Sequence, residues 1–311
     1  MKEAVLLLNM GGPNNLDEVE VFLKNMFADP FILTTKSDLM RKIIGSIIVK
    51  SRLNKSKDIY RQINNKSPMV EITYSLTQKL QQRDPSKIYT YAMRYTPPFA
   101  APVLADLKQK GVEKLHLFSM YPHYSSTTTM SSFKDIYDGL KSLDYSPEIQ
   151  LTERYFDNKA YLQIIANDIK KALNGNCANN FTLIFSAHSL PKSIIDAGDP
   201  YQNEVQKNVA LLTDLLKEQG MEFQEIILSY QSKVGPTKWL EPSTQKIISQ
   251  SIGKNIIIYP LGFTIDNSET IYEINQQYKD VAEKSGALSF TPCPCLNDKE
   301  EFVDMILDLT R

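Results

Sequence analysis

The feature that most restricts the fold of this chain is a series of short apolar runs that occurs twice along it. Uncharged runs of this kind are typical of buried strands, and a proline-containing loop follows most of them and marks the end of the strand. Pro97 and Pro122 are separated by nearly as many residues as Pro236 and Pro260, so the two series keep similar spacing. The predicted strands are 5–9, 88–93, 115–120 and 148–151 in the first series, and 182–185, 226–228, 255–258 and 287–290 in the second.

Helix-like segments occupy the gaps between these strands. Strands that alternate with helices predict right-handed crossovers and a parallel sheet. We therefore expect an α/β fold of two similar doubly wound domains, residues 1–155 and 156–311, which face each other across a cleft. The last helix, about 298–310, is expected to pack back on the first domain. One large α/β domain with an accidental repeat is the alternative. The predicted helices include 100–110, 158–173, 242–251 and 300–309.

The first half carries extra residues between its first two strands, near 20–65. From Lys36 to Arg61 this insertion contains eight basic residues and two acidic ones, interleaved with apolar residues. A basic amphipathic segment can form a lid over a cleft, lie on an anionic membrane surface, or pack on its domain as a solvated helix. The sequence leaves these three interpretations open.

Composition excludes several classes of protein. The formal net charge of −1 gives no reason to expect a nucleic-acid partner. No apolar run approaches the roughly 20 residues of a spanning helix, and the start of the chain lacks a secretory signal, so we expect a cytoplasmic protein. Three cysteines in 311 residues argue against a disulfide framework.

His188 is the first candidate for chemistry. It follows the buried run 181–187 and precedes Pro191, which places it at the carboxyl end of a central strand, where open α/β sheets bind ligands. The chain has only three histidines, and an imidazole with a pKa near ~6.5 is suited to accepting a proton at neutral pH. The alternative is a core histidine that bonds a neighbouring carbonyl.

Other polar and aromatic residues follow the remaining strands. Glu269 and Glu273 are four apart on a predicted helix, with Ser268 or Asn267 as N-cap, so they share one face and can relay metal ions or protons. Capping and a solvated face would explain them equally well. A set that is half aromatic and half polar suits a flat apolar ligand with a polar edge. Its members are Asn9, Met10, Arg94, Tyr95, Tyr121, Tyr124, His188, Ser189, Lys233, Phe263, Asp266, Asn267 and Glu269.

Three familiar motifs are absent. Ala187-His188-Ser189-Leu190-Pro191 loosely resembles a nucleophile elbow, but no histidine follows position 188, so the triad of an α/β-hydrolase cannot close. Gly11-Gly12-Pro13 lacks the third glycine of a dinucleotide fingerprint. No HExxH or paired CxxC motif predicts a zinc site.

These motifs together resemble the ferrochelatases, which insert ferrous iron into a porphyrin in haem synthesis. The resemblance covers nearly the whole chain, and the AHSLP and QSKVGP strings are its most specific parts. The residues that carry it are Leu8-Asn9-Met10-Gly11-Gly12-Pro13, Lys66-Ser67-Pro68, Arg94-Tyr95, Tyr121-Pro122-His123-Tyr124-Ser125, Ser186-Ala187-His188-Ser189-Leu190-Pro191, Gly198-Asp199-Pro200-Tyr201, Gln231-Ser232-Lys233-Val234-Gly235-Pro236, Phe263-Thr264, Asp266 and Glu269-Thr270-Ile271-Tyr272-Glu273.

The resemblance implies two similar Rossmann-like domains, each with a four-stranded parallel sheet flanked by helices, and a porphyrin bound in the cleft between them. It implies His188 and Glu269 as catalytic residues on opposite sides of the macrocycle, and His188, Glu269 and Glu273 as metal contacts. Whether His188 accepts the protons or contacts the iron stays open. The implied substrate-binding residues are Met10, Arg94, Tyr95, Tyr121, Tyr124, Ser189, Trp239 and Phe263.

The sequence departs from the family pattern in several places. Asn267 stands where many relatives have a histidine, and Gln277 replaces a third carboxylate on the helix after Glu269. Some relatives hold an iron–sulfur cluster with four cysteines, but this chain has three, and Ser126 replaces one ligand, so we expect no cluster. Met10 is typical of members that use protoporphyrin rather than coproporphyrin.

The sequence therefore predicts a ferrochelatase that converts ferrous iron and protoporphyrin IX to haem, as a monomer and with no required cofactor. Peripheral contact with a membrane is compatible with the basic insertion. Two alternatives stay open: a cobalt chelatase of cobalamin synthesis, and a carrier that binds porphyrin or haem without turnover.

Overall fold

The computed structural model of the chain describes residues 2–35, 37–233, 235 and 237–311. Lys36 of the basic insertion, and Val234 and Pro236 of the QSKVGP string, lie outside the described residues. The internal contacts divide the chain into two units. The first is Met1–Arg154 with Asp298–Arg311, and the second is Tyr155–Asn297.

The first unit is built on a four-stranded parallel sheet. Its strands are β1 (Glu3–Asn9), β2 (Ile88–Met93), β3 (Lys114–Ser119) and β4 (Glu148–Thr152), in the order β2-β1-β3-β4. Every residue of β1 after Glu3 is buried, as expected for an inner strand covered on both faces. The helices are α1 (Glu18–Ala28), α2 (Asp38–Arg61), α3 (Met69–Arg83), α4 (Ala100–Gln109) and α5 (Ser131–Ser142), with a π-helix at Ser126–Met130.

The basic insertion forms a long helix, α2, beside α1. Ser37 caps it by accepting a hydrogen bond from the Met40 amide at 3.2 Å. Only Gly45, Val49 and Tyr60 of α2 are buried. Gly45 lets the helices approach closely, since an added Cβ would lie 3.0 Å from the Phe27 carbonyl oxygen of α1.

The helix Glu300–Leu309 belongs to the first unit, although it is the last element of the chain. Polar contacts join this helix, and Asp298 just before it, to α3. Ser75 donates to Asp298 at 2.6 Å, Lys79 lies 3.2 Å from Glu300, and Arg83 pairs with Glu300 and Asp304. These contacts supplement an apolar face in which Phe302, Val303, Met305 and Ile306 are buried.

The second unit repeats the same architecture. Its strands are β5 (Phe181–His188), β6 (Glu225–Gln231), β7 (Asn255–Tyr259) and β8 (Ser289–Pro292), all parallel, in the order β6-β5-β7-β8. A π-helix at Glu269–Tyr278 continues directly into the short helix Lys279–Lys284. The other helices are α6 (Lys159–Leu173), α7 (Lys192–Asp196), α8 (Tyr201–Glu218), α9 (Thr244–Ser249) and α10 (Lys279–Lys284), with a 3₁₀ turn at Ala178–Asn180.

The prediction of two α/β sheets of four parallel strands is confirmed, and the deviations lie at strand ends. β5 continues past the predicted residue 185 to His188, because Ala187 and His188 still pair with Tyr230 and Gln231 of β6. β8 begins at Ser289 rather than at 287 and includes Pro292. A proline is tolerated there because β8 is an edge strand with no neighbour on one side.

Within the described part of the chain, no helix is long and apolar enough to cross a membrane.

Two glycines with left-handed backbones allow a matched test of packing at the end of β1. Gly11 has a φ of +82°, and an added Cβ would collide with Thr96 and lie 2.9 Å from Met93 Cβ. Gly111 has a φ of +71° but nothing within 4 Å. We expect Gly111→Ala to lower the free energy of unfolding by about 1–2 kcal/mol through its backbone alone, and Gly11→Ala by about 1–3 kcal/mol more through the clash. Urea denaturation measures both values, and equal losses would contradict the prediction.

Candidate active site

The centre of the site in the second unit is a hydrogen bond between a histidine and a carboxylate. His188 is the last residue of β5, and its Nδ1 lies 2.8 Å from Glu269 Oε2. A carboxylate only accepts, so Nδ1–H donates and Nε2 carries the lone pair of the neutral ring. Tyr201 donates to the His188 carbonyl at 3.0 Å, and the Phe263 ring meets the imidazole edge-on at 6.3 Å. The imidazole is therefore fixed in tautomer and orientation, while its side chain is 37% exposed.

Glu269 reaches His188 because it begins the π-helix. Asn267 Oδ1 accepts the Glu269 amide at 2.8 Å, whereas Ser268 makes no side-chain cap bond. The Asn267 side chain also donates to the Ile265 carbonyl at 3.1 Å and is buried. Asn267 thus sets the start of this helix.

Glu273 lies on the same face of the π-helix as Glu269, and Ser232 connects them. The Ser232 hydroxyl lies 2.6 Å from Glu269 Oε2 and also bonds Glu273 Oε2. The Ser232 amide donates to Glu273 Oε1 at 3.0 Å, and Tyr278 donates to the same oxygen at 2.6 Å. A π-helix has i to i+5 hydrogen bonds and more than four residues per turn, so residues four apart stand nearly above each other.

The three titratable groups influence each other. Burial alone would lower the pKa of His188, but the charge and hydrogen bond of Glu269, with the charge of Glu273, raise it above the usual value. Burial would raise the pKa of Glu269, but the charge and hydrogen bond of His188 and the bonds from Ser232 and Gln231 lower it. Burial and the Glu269 charge raise the pKa of Glu273. The arrangement thus favours a protonated His188 paired with the Glu269 carboxylate. The neighbouring Glu273 carboxyl keeps its proton to a higher pH than an ordinary glutamate does.

The expectation that His188 and Glu269 flank a macrocycle from opposite sides is wrong. A flat ring between two side chains needs van der Waals contact on each face, about 3.5–4 Å each. The 2.8 Å bond between these residues leaves no such space. The two side chains therefore lie together, with no gap between them for a flat ligand.

Ser189 and Trp239, predicted to bind substrate, lie on neighbouring loops of the second unit. Ser189 is fully buried and its hydroxyl faces the Leu240 carbonyl at 3.4 Å. Trp239 pairs with Pro191 in an isolated bridge, and its indole Nε1 is buried without a hydrogen-bond partner among the described residues. Phe263, in contrast, contacts His188 directly.

The first unit brings together three of the other predicted residues. The amides of Arg94 and Tyr95, after β2, donate to the carbonyls of Asn9, the last residue of β1, and of Met10, each at 2.9 Å. This pairing places Met10, Arg94 and Tyr95 on adjacent loops. Met10 is half-buried and Tyr95 is buried.

The charge of Arg94 is already paired inside the first unit. Its guanidinium lies 3.1 Å from Asp29 and 3.5 Å from Asp135, and its Nε donates to Ser131 at 2.9 Å. Asp29 is buried and also accepts from Tyr95 at 2.8 Å and from Ser131. Arg94 and Tyr95 thus hold the end of β2 against α1 and α5.

Two tyrosines after β3 are more accessible. Tyr121 is half-buried, and burial raises the pKa of its phenol well above the usual range. Tyr124 is half-buried, and the Arg154 guanidinium lies over its ring, 4.6 Å from the ring centre.

Sequence reasoning missed several residues that fix the site. Asp29 lies within the insertion, where no pattern indicated a buried charge. Ser232 belongs to the QSKVGP string, but its left-handed backbone, with a φ of +66°, is not signalled by a serine. No sequence pattern indicates the hydroxyl bonds of Tyr201 and Tyr278, because these bonds depend on tertiary packing.

Two cavities accompany these groups in the first unit. One of about 10 Å³, the size of one water, lies beside Arg94 and Asp135. One of about 480 Å³ lies between α1 and α2, where Lys24, Arg41, Lys42 and Lys50 are among its lining residues. Neither contains His188 or Glu269.

In the described part of the chain, no three or more His, Cys, Asp or Glu side chains converge on a metal-sized site. His188, Glu269 and Glu273 instead form a hydrogen-bonded series through Ser232. Cys177 is exposed, and Cys293 and Cys295 are buried.

Solved structures with a similar fold include SirB and CbiX. SirB from Bacillus subtilis with Fe3+ has a TM-score of 0.60, with 11% identity over 100% of this chain and 95% of that chain. CbiX, the terminal enzyme for siroheme biosynthesis in denitrifying bacteria, has a TM-score of 0.54, with 11% identity over 98% and 96%. Such low identity concerns the fold alone. Fold and site define an α/β protein with two four-stranded parallel sheets and a histidine–carboxylate pair at a strand end.

Sequence comparison gives the family. The ferrochelatase family model matches residues 2–311. The ferrochelatase of Helicobacter pylori strain J99 is 55% identical over 311 residues, which cover 100% of this chain and 93% of the relative. That of Wolinella succinogenes is 48% identical over 309 residues, covering 99% and 98%. The chain belongs to the ferrochelatase family, whose members insert ferrous iron into a porphyrin.

The histidines provide an internal control for the electrostatics of the site. We expect His188 to titrate above ~6.5, since Glu269 stabilises its protonated form, and Glu269→Gln to lower that pKa. His116 is expected to titrate at about 4, because burial and the charges of Lys87 and Lys114 lower its pKa, and Glu269→Gln should leave it unchanged. NMR titration of the metal-free protein measures both.

The sign of the linked stability follows from these shifts. While Glu269 is ionised, the raised pKa of His188 contributes stability that is fully present below pH ~6.5 and is lost as the pH rises through the higher pKa of the folded state. A His188 pKa that is unchanged in Glu269→Gln would contradict the assigned coupling.

Proposed function

We propose that the protein inserts ferrous iron into protoporphyrin IX, which gives haem and releases two protons. The observation that carries the proposal is the His188–Glu269 hydrogen bond at the end of β5. Family membership over residues 2–311 supports the reaction and the iron and porphyrin substrates. The proposed enzyme is a cytoplasmic monomer that requires no resident cofactor.

His188 is the proposed group that meets the macrocycle. In the neutral form of the ring Nδ1 donates to Glu269, and the lone pair of Nε2 is then available for a pyrrole proton or for the iron. Each proton taken up by Nε2 makes an imidazolium, which the Glu269 carboxylate stabilises. His188 and Glu269 are thus the proposed catalytic residues, and either role of the histidine uses the same geometry.

Glu269 and Glu273 are the proposed oxygen contacts for the iron substrate, with His188 as the nitrogen contact. Carboxylates and imidazole both bind first-row divalent ions. A cation that binds Glu273 first can then move to Glu269, which lies on the same helix face and is bonded to His188.

The proposed macrocycle contacts are the accessible aromatic residues and Met10. Phe263, Tyr121, Tyr124 and Trp239 can pack against a flat apolar ring. Met10 is apolar, which favours the vinyl-bearing protoporphyrin over the more carboxylated coproporphyrin. For Arg94, Tyr95 and Ser189 we propose an indirect part in substrate binding, because internal bonds already occupy their side chains.

Anaerobic incubation of the metal-free protein with Fe2+ and protoporphyrin IX tests the proposal. We expect loss of porphyrin fluorescence as haem forms, and a rate lowered roughly 10²–10⁴-fold in His188→Ala, as is usual when a general base is removed. Porphyrin binding without iron, measured by fluorescence, should be nearly unchanged in the variant.

The alternatives predict other outcomes of the same assay. Tight porphyrin binding without insertion would favour a carrier. Preference for Co2+ and a cobalamin precursor would favour a cobalt chelatase, which the full-length ferrochelatase relatives do not support.

We further propose that α2 lets the protein contact an anionic membrane surface. One side of its first half exposes Leu39, Met40, Ile43 and Ile47, each at least 50% exposed. Exposed lysines and arginines, among them Lys50 and Arg61, continue along the helix. Apolar insertion combined with basic attraction to anionic lipid is typical of interfacial helices.

Co-sedimentation with vesicles tests this contact. We expect binding to vesicles with anionic lipid, weakened by salt because the attraction is screened, and weakened also in Ile43→Glu/Ile47→Glu. Vesicles of neutral lipid serve as the control. Absence of binding at low salt would remove the proposal.

A further inference from the structure

Ser232 adopts a backbone conformation that serine rarely occupies. Its φ of +66° lies in the left-handed region, where a side chain costs free energy that glycine avoids. Ser232 follows the last residue of β6, Gln231. Strain of this kind at a polar residue is often kept for a function of the side chain.

The strained backbone directs both donors of Ser232 at the two carboxylates of the π-helix. The amide donates to Glu273 Oε1 at 3.0 Å, and the hydroxyl lies 2.6 Å from Glu269 Oε2 and bonds Glu273 Oε2. One small side chain therefore touches two acidic groups that otherwise repel each other. Glycine in the same conformation would keep only the amide bond.

The residues around Ser232 hold it in place. The Ser186 hydroxyl donates to Gln231 Oε1 at 2.6 Å, which turns the Gln231 amide nitrogen toward Ser232 Oγ, 3.5 Å away. Ser186 also bonds the Thr244 hydroxyl at 2.9 Å. Since Ser186, Gln231 and Thr244 are almost completely buried, this network ties Ser232 to the rigid strands β5 and β6.

We propose that Ser232 is a positioning residue that holds the Glu269 and Glu273 carboxylates together as successive oxygen ligands for a divalent cation approaching His188. The proposal rests on the proposed function, because it specifies how the iron substrate reaches the histidine. Ser232 thereby sets the distance between two ligands whose charges would separate them. Outer groups that orient metal ligands typically change metal affinity 10- to 100-fold when removed.

The test compares Ser232→Gly with Ser232→Thr. Glycine suits the left-handed backbone, so the melting temperature of Ser232→Gly should stay the same or rise. Because the variant lacks the hydroxyl, its affinity for Zn2+, added alone, should fall roughly 10- to 100-fold. Threonine keeps the hydroxyl but strains the backbone, so the melting temperature should fall while Zn2+ affinity stays within a fewfold of wild type. If Ser232 had only a structural role, the Zn2+ affinity would fall in the variant whose melting temperature falls.

Isothermal titration of the full metal-free chain with Zn2+ gives the affinities, and only the binding that Glu269→Gln removes is counted. Tyr278→Phe serves as a comparison, because it removes one donor to Glu273 without touching Glu269. We expect it to weaken Zn2+ binding less than Ser232→Gly does. An equal loss would assign the effect to Glu273 alone and overturn the bridging role.

In the insertion assay, Ser232→Gly should raise KM for Fe2+ while KM for protoporphyrin stays unchanged. Zn2+ binding as tight as wild type in Ser232→Gly would overturn the inference, whatever the insertion activity. A wild type that binds Zn2+ at Glu269 but inserts no iron would instead refute the proposed function. The two failures therefore give different results.

Discussion

The rest of the site depends on one short hydrogen bond, from His188 Nδ1 to Glu269 Oε2. It forms between the end of a strand and the first turn of a helix that lie 81 residues apart in the chain. Isolated, each group would respond to burial by losing its charge, the imidazole by releasing a proton and the carboxyl by keeping one. Paired, they retain opposite charges, and the pair fixes which nitrogen of the ring is left to face a ligand.

The fold supplies this pair through parallel strands and through a helix that is wider than usual. Parallel pairing of β5 with both β6 and β7 brings the residues after each strand to one edge of the sheet. Ser232 follows β6 and Glu269 follows β7, so both arrive beside His188. The π-helix then aligns Glu273 behind Glu269, where Ser232 reaches both. Reactive groups thus come from three neighbouring strand ends, and the buried network of Ser186, Gln231 and Thr244 joins the ends of β5 and β6.

The sequence predicts the architecture well because apolar runs and loop prolines report directly on buried parallel strands. All eight strands appear, and His188 lies at the end of a central strand as expected. The geometry of the site is less accessible. A spacing of four residues places Glu269 and Glu273 on one face but does not specify a π-helix, and it does not show that Glu269 turns toward His188. The buried pairing of Arg94 with Asp29 is equally hidden, since it depends on where α1 ends relative to β2.

The position of the helix Glu300–Leu309 has a consequence for biosynthesis. It completes the first unit, yet it is translated only after the whole of the second unit, Tyr155–Asn297. The first unit is therefore discontinuous in the sequence, and it is complete only when residues 298–311 have been synthesised, since they include the helix that binds Lys79 and Arg83 on α3. The unit whose strands are translated first is thus the last to receive all of its residues.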